Sequence, residues 1–468
     1  MNIGGAKMLI RFNVKNFLSF FENESGQSEE FSMIAGKVRS KREHIYDNDK
    51  IKLLKFAAVY GANASGKSNL VKALNFMKKT IVDGLPKGHT DMYCKTDRAN
   101  KEKKSYFELE IMLDDKYYAY GFEVILSQSK FVSEWLVELK SDGSEKNIFT
   151  RDIENGETEF SSELKRDKKS YEKLKNYAED IQEDSEVLLL SIMNKNKKTL
   201  YEKYNNLKVF RNVYMWIERK LDINYPDRPI SDYSYMAKTE KIDEVCKIIK
   251  AFGTGITGFQ MVDVDPEEIF RMIPNRIKEE ILKDVENKKV TVNRMKLKEI
   301  GIVMRSNKDF FILNIASNGK VEGKTIKFLH GEENILFNLS EESDGTVRIL
   351  DLIEVLLSGA NKTYVIDELD RCLHPSLTCK FVETYLQLAA ERNIQLIVTT
   401  HESRLLDFDI LRRDEVWFVN KRITGESDIY SLEEYNTRFD KKIDKAYLDG
   451  RYGGVPKFST VFPVKGDE

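Results

Sequence analysis

Apolar and polar positions alternate over most of Leu9-Ile10-Arg11-Phe12-Asn13-Val14-Lys15-Asn16-Phe17, the pattern of a strand buried on one face. A second run, Leu53 to Tyr60, ends in Phe56-Ala57-Ala58-Val59-Tyr60 and stops at Gly61. A continuous apolar run closed by glycine suits a strand buried on both faces. After the turn, Leu70, Val71, Leu74, Met77 and Ile81 recur near helical spacing, so Lys67 to Val82 predicts a helix. The order is strand, loop, helix.

Strand-like text returns at Phe107 to Ile111, Tyr117 to Ile125 and Trp135 to Leu139, which predicts a small antiparallel meander. From about 160 to 295 Lys, Glu and Asn dominate, and Val187 to Ile192 and Ile242-Val245-Ile248-Ile249 follow helical spacing. A helical insertion of several segments is expected there, without the heptads a coiled-coil rod needs. Strands are expected again at Gly301 to Met304 and Phe310 to Ile315, with a hairpin around Asn318-Gly319. The end of the chain then reads helix (Val347 to Leu357), strand (Thr363 to Ile366), helix (Ser376 to Ala390), strand (Ile394 to Thr399). Strands alternating with helices predict a parallel sheet with helical cover.

Composition narrows the partners. At 468 residues the chain exceeds what one core usually organises, so two units, or one domain with a large insertion, are expected. Lys+Arg at 75 nearly cancel Asp+Glu at 77, so any nucleic-acid contact must be local. The runs Lys101 to Lys104, Lys165 to Lys169 and Lys195 to Lys198 are the candidate contacts, and each also fits a solvated face. Cys94, Cys246, Cys372 and Cys379 form no Cys-x-x-Cys pair, which argues against a zinc ribbon or disulfide framework. With no apolar run of membrane-spanning length and no leader-like start, a cytoplasmic protein is expected. Met8 precedes the first strand directly, so residues 1 to 7 are expected to be a dispensable extension.

Gly61-Ala62-Asn63-Ala64-Ser65-Gly66-Lys67-Ser68 fits G-x-x-x-x-G-K-S, in the strand-to-helix context that makes the pattern specific. Its glycines let backbone N–H groups converge on phosphate oxygens, and the helix N-terminus adds its dipole. Lys67 would neutralise the β and γ phosphates, and Ser68 would offer its hydroxyl to Mg²⁺. Gly61, Asn63, Ser65, Gly66, Lys67, Ser68 and Asn69 form the candidate ATP-binding set. Asn63 fits either a turn residue or a group near the γ-phosphate.

The strand Thr363-Tyr364-Val365-Ile366 ends in Asp367-Glu368, whose side chains diverge and can therefore serve different ends. Asp367 would share Mg²⁺ with Ser68, and Glu368 would act as general base or water-positioner. A second parallel strand brings His401 to the same sheet edge, where it could contact the γ-phosphate. Upstream, Ser343-Asp344-Gly345-Thr346 opens the helix from Val347 and fits either an anion cradle or a plain N-cap.

The ordered set of phosphate loop, Ser343-Asp344-Gly345-Thr346, Val365 to Glu368, Leu369-Asp370 to His374-Pro375 and Thr399-Thr400-His401 resembles ATP-binding-cassette-type ATPases of the SMC and RecF kind. More narrowly it is similar to prokaryotic AAA-family ATPases of abortive-infection and antiphage operons, as are Asn16-Phe17 and Gly450 to Pro456. The resemblance implies an α/β, ABC-type P-loop fold: a mixed sheet with helices, a small antiparallel subdomain and a largely helical insertion. The expected division is an N-terminal lobe (1–140), the insertion (141–300) and a C-terminal lobe (301–468). It also implies Ser343, Gly345 and Thr346 as a signature acting in trans on ATP held by another subunit, Asp370 as the D-loop residue and His401 as the switch histidine. The signature departs from the transporter-type Leu-Ser-Gly-Gly-Gln. Gln128 alone is a candidate for the glutamine loop.

Two classes of function compete. The first is an ATP-dependent switch with Mg²⁺, a homodimer or higher oligomer, controlling an effector such as a toxin or nuclease from the same operon. The alternative acts directly on DNA: a nuclease of the overcoming-lysogenization-defect (OLD) type or a RecF/SMC-like processing ATPase. Asp263-Val264-Asp265 could serve such a nuclease as a metal pair, but two aspartates beside Pro266 more simply mark a turn.

Overall fold

The structure, a computed structural model, describes residues 5–140, 142–197, 199–233, 235–236, 242–273, 275–295, 299–306, 308–316, 318, 320–359, 361–435, 443–448, 450 and 452. Two compact units divide the chain. Met1–Ile223, Gly359–Leu369 and Leu386–Glu468 form the first, and Asn224–Ser358 with Asp370–Tyr385 form the second.

Two main sheets build the first unit. A seven-stranded antiparallel sheet runs from edge to edge as Glu157–Phe160, Glu145–Asp152, Lys130–Leu139, Lys116–Ile125, Ser105–Leu113, Lys7–Lys15 and Glu29–Ser32. A six-stranded sheet runs Leu221–Asn224, Lys362–Ile366, Ile394–Thr399, Phe56–Tyr60, Val416–Lys421 and Ser427–Ser431. Lys362–Ile366, Ile394–Thr399, Phe56–Tyr60 and Val416–Lys421 are mutually parallel, and all five residues of Phe56–Tyr60 are buried, as its unbroken apolar run requires. The fold is thus α/β with mixed sheets.

Buried Gln395 ties the two sheets together. Its Oε1 accepts from Leu9 N at 2.7 Å and Thr363 Oγ1 at 2.9 Å, and its amide donates to Leu9 O and Leu54 O. A buried amide satisfied at both ends fixes position as well as burial. Apolar rings do the same for the helix Lys67–Asp83. Phe76 packs on Phe17 and Phe107, which continue through Phe122 to Phe131 across the antiparallel sheet.

The second unit is built on an antiparallel sheet in the order Ile256–Val264, Val321–His330, Phe310–Ala316 and Glu299–Arg305, with Ile335–Asn338 added beside Val321–His330. Ile269, Val285, Ile302, Leu313 and Ile315 form a core on it. Helix Asp344–Leu357 also belongs to this unit, and Val347, Leu350 and Ile353 on it are buried.

Several expectations change. The boundaries at 140 and 300 cut through paired strands, because Lys130–Leu139 pairs with Glu145–Asp152, and Ile256–Val264 with Val321–His330. The helical stretch starts at Ser162 and is interrupted by strands Leu221–Asn224 and Ile256–Val264. The single strand expected over Leu53 to Tyr60 is two, Lys52–Leu54 and Phe56–Tyr60, in different sheets. Lys55 separates them: it is buried, and its Nζ donates to Ala389 O at 2.7 Å and Ala390 O at 2.9 Å. Burial lowers its pKa to about 8.

Residues 6 and 7 are not a loose extension. Ala6 is buried and accepts from Asp114 N, and Lys7 pairs with Leu113. At the expected hairpin, Ala316 N donates to Lys320 O, while Gly319 lies outside the described residues. Of the segment Gly450 to Pro456, only Gly450 and Tyr452 are described.

Candidate active site

Parallel register aligns the chemistry. Val59 is level with Thr399, so Gly61 and His401 each come two residues later at one sheet edge. Ile366 is level with Val398, which brings Asp367 beside Thr399. Phosphate loop, carboxylate pair and histidine therefore converge because three strands end together, with the histidine strand between the other two. Convergence at strand C-termini is where open α/β sheets place ligands.

Within the loop, Lys67 is buried and donates from Nζ to Gly61 O at 2.7 Å and Ala62 O at 3.0 Å, so its ammonium is curled over the loop. Glycine is required twice. A Cβ at Gly61 would meet Val419 O at 2.5 Å, and Gly66 has φ 117° with Ser427 Oγ at 2.6 Å and Ser19 Oγ at 2.8 Å from an added Cβ. Ala64 also has a positive φ, 63°. Asn63 is exposed, whereas Ser65 is buried. Asn69 donates to Ser19 Oγ at 2.8 Å, and Ser427 Oγ donates to Ser65 O at 2.5 Å, so both brace the loop from behind.

Asp367 is buried, and its Oδ1 accepts from Ser68 Oγ at 3.2 Å and from Thr399 Oγ1 at 2.5 Å. The same Thr399 oxygen accepts from Glu368 N at 2.8 Å, and Leu369 N donates to Thr399 O. Glu368 is held at φ 50°, which turns it out of the strand path followed by Asp367. One threonine hydroxyl thus joins the Asp367 carboxylate to the backbone N–H of Glu368. A carboxylate and a hydroxyl are the hard oxygen donors suited to Mg²⁺, and Ser68 and Asp367 fit that ion. His401 is exposed just beyond the strand, and Tyr60 donates to Glu402 O beside it.

In the second unit, Ser343 caps helix Asp344–Leu357: its Oγ accepts from Thr346 N at 3.0 Å and lies 2.9 Å from Thr346 Oγ1. Lys308 pairs with Asp344 at 2.7 Å. A Cβ on Gly345 would meet Cys372 O at 2.9 Å, so the signature segment lies directly against the turn that begins at Asp370, whose O accepts from Leu373 N.

Other candidates have local roles. Gln128 donates to Glu102 Oε2 at 2.8 Å on an exposed turn. Asn16 is buried at φ 51°; its amide donates to Asn100 O and Lys103 O and its Oδ1 accepts from Cys94 N, organising that loop. Asp265 caps helix Pro266–Met272 by accepting from Glu267 N, and Asp263 is paired with Lys324 in the sheet. Among the described residues no group of three His, Cys, Asp or Glu could hold a metal ion. In the basic runs, Lys104 pairs with Glu123, Lys103 lies over the Phe21 ring and Lys197 over that of Tyr177.

Sequence reading did not assign Ser19, Ser427 or the Thr399 hydroxyl to the site. Nothing local marks the serines: Ser427 and Ser65 are 362 positions apart. Thr399 carried a signal, because it directly precedes the expected Thr400-His401 pair at a strand end.

Strand, phosphate loop and helix, with a carboxylate-ended parallel strand two places away, define a P-loop nucleotide-binding domain. Residues 56–407 match the family described as "AAA domain, putative AbiEii toxin, Type IV TA system", and the chain belongs to that family, an ATPase of the AAA class. No curated protein sequence matches the chain. Among solved structures it is similar to an SMC head domain from Thermotoga maritima at 13% identity, over 90% of this chain and 98% of that one, with a TM-score of 0.36. A Pyrococcus furiosus Smc head with an extended coiled coil, bound to the C-terminal domain of ScpA, gives 14% identity over 95% and 100% of the two chains, with a TM-score of 0.38. No helix among the described residues is long and apolar enough to cross a membrane.

Proposed function

We propose that this chain is an ATP-binding and hydrolysing switch that self-associates through nucleotide, as a homodimer or higher oligomer, and controls an effector protein in an abortive-infection or antiphage system. The observation that carries the enzymatic part is the double use of Thr399, whose hydroxyl joins Asp367 to the backbone of Glu368. Gly61, Asn63, Ser65, Gly66, Lys67, Ser68 and Asn69 form the ATP site. Ser68 and Asp367 would hold Mg²⁺, which neutralises phosphate charge when bound. Glu368 orients the attacking water and takes its proton, and His401 contacts the γ-phosphate side of the site.

Ser343, Gly345, Thr346 and Asp370 act on ATP held by a second copy. Such a contact exists only while the γ-phosphate is present, which gives the differential binding a switch needs. The family description, "putative AbiEii toxin, Type IV TA system", supports a role in a system of that kind. An effector such as a toxin or nuclease from the same operon and a cytoplasmic setting belong to the same proposal.

Lys67→Ala is expected to abolish ATP binding. Glu368→Gln keeps binding, slows hydrolysis by about two orders of magnitude or more and accumulates the ATP-bound oligomer in size-exclusion chromatography. Normal turnover by Glu368→Gln would remove the base assignment. Mixing Ser343→Ala with Lys67→Ala should restore part of the activity that each lacks alone, and failure of that rescue would remove the shared site.

A further inference from the structure

In the second unit, the turn between strands Glu299–Arg305 and Phe310–Ala316 is held by its own bonds: Ser306 N donates to Asp309 O at 3.0 Å, and Ser306 Oγ to Asp309 Oδ2 at 2.8 Å. From this turn Lys308 reaches both neighbours of Ser343. Its Nζ donates to Glu342 O at 3.0 Å and lies 2.7 Å from Asp344 Oδ1.

Two more ties come from the same sheet. His330, at the end of strand Val321–His330, bonds through Nε2 to Glu342 Oε1 at 2.7 Å, with the Phe337 ring packed against its own. Arg305 Nη2 lies 3.4 Å from Asp351 Oδ1, farther along helix Asp344–Leu357, and donates to the Tyr233 hydroxyl at 2.9 Å. The Arg305 and Asp351 side chains are 5% and 7% exposed, so this pair is sealed from water. Beside them, the Tyr235 hydroxyl donates to Leu350 O at 2.9 Å.

Burial of Val347, Leu350 and Ile353 holds the helix in its unit, but apolar attraction is non-directional and resists sliding or rotation only weakly. Charge-assisted hydrogen bonds are short and directional. Those at residues 342, 344 and 351 bracket Ser343 and fix where its hydroxyl and the helix N-terminus point. We propose that Lys308 is a positioning residue for the signature segment, supported by His330 and Arg305, so that the sheet of the second unit sets how Ser343 meets nucleotide held by another copy. The inference rests on the reading that Ser343 acts in trans, and Lys308 acts through Ser343 rather than on phosphate.

Lys308→Met keeps the aliphatic stem and removes the ammonium, and phosphate release by the full chain at saturating ATP tests it. Turnover should fall about three- to tenfold while ATP affinity stays within about twofold of the parent, and Lys308→Arg should recover at least about half of the loss. Mixed with Lys67→Ala, whose signature segment is intact, Lys308→Met should release phosphate about threefold faster than the two proteins measured apart, whereas mixing it with Ser343→Ala should bring no gain. A general loss of stability would not distinguish the two mixtures. Parental turnover in Lys308→Met overturns the positioning role alone, as does absence of a gain with Lys67→Ala where Ser343→Ala gains with that same partner. Failure of both variants to gain with Lys67→Ala removes the shared site and this proposal with it. Should Lys308→Met fail to fold, His330→Ala takes its place in both mixtures, with the same outcomes required.

Discussion

Replacing Thr399 with Val removes one hydroxyl while keeping the β-branched shape that suits its strand. That hydroxyl donates to Asp367 Oδ1 at 2.5 Å and accepts from Glu368 N at 2.8 Å, so the Asp367 carboxylate and the Glu368 backbone lose an anchor in one step. A hydrogen bond to a charged group contributes about 1.5–3 kcal/mol. If that is lost where the reaction is stabilised, turnover falls by about 10- to 100-fold, at roughly 1.4 kcal/mol per factor of ten. Lys67 and its bonds to Gly61 O and Ala62 O are untouched, so ATP affinity should change by less than about threefold. Phosphate release at saturating ATP gives the first quantity and titration with a fluorescent ATP analogue the second. A folded Thr399→Val protein that turns over within about twofold of the parent would refute the role given to this hydroxyl.

Gly66→Ala sets a Cβ against Ser427 Oγ and Ser19 Oγ at φ 117°, and both serines are engaged in bracing the loop. A cost of about 1–3 kcal/mol is expected, with the melting temperature lowered and its rise on adding ATP lost in a thermal-shift assay. Glu29 makes stability depend on pH: the folded state keeps a proton to about pH 7 that the unfolded chain releases near 4.5, so stability falls as pH rises through that window. The loss reaches at most about 3 kcal/mol, and Glu29→Gln should flatten the urea midpoint between pH 5 and 8. An unchanged slope in the variant would show that Glu29 does not titrate in this way.

Much of the candidate site's edge was legible because its residues sit at fixed offsets from strand ends. Gly61, Asp367, Glu368 and His401 each follow an apolar run, and parallel register did the rest. The strand Val416–Lys421 lies outside the expected set although Val416-Trp417-Phe418-Val419 is a continuous apolar run, and Ser427–Ser431 has no such run. The strand pairs that bridge positions 140 and 300 were hidden for a different reason. Antiparallel neighbours such as Ile256–Val264 and Val321–His330 are brought together across a long excursion of chain, and composition does not report pairing.

The amino-acid sequence alone determined the phosphate loop, the Asp-Glu strand end and the alternation of strand and helix around them, because each depends on neighbours a few residues away. Tertiary structure alone decided that Thr399 joins the Asp367 carboxylate to the Glu368 backbone, that Ser19 and Ser427 brace the loop, and that Glu29 is buried beside Asp428. Those contacts depend on which distant strands share a sheet. Burial and hydrogen bonding then act over ångströms in space, without regard to separation along the chain.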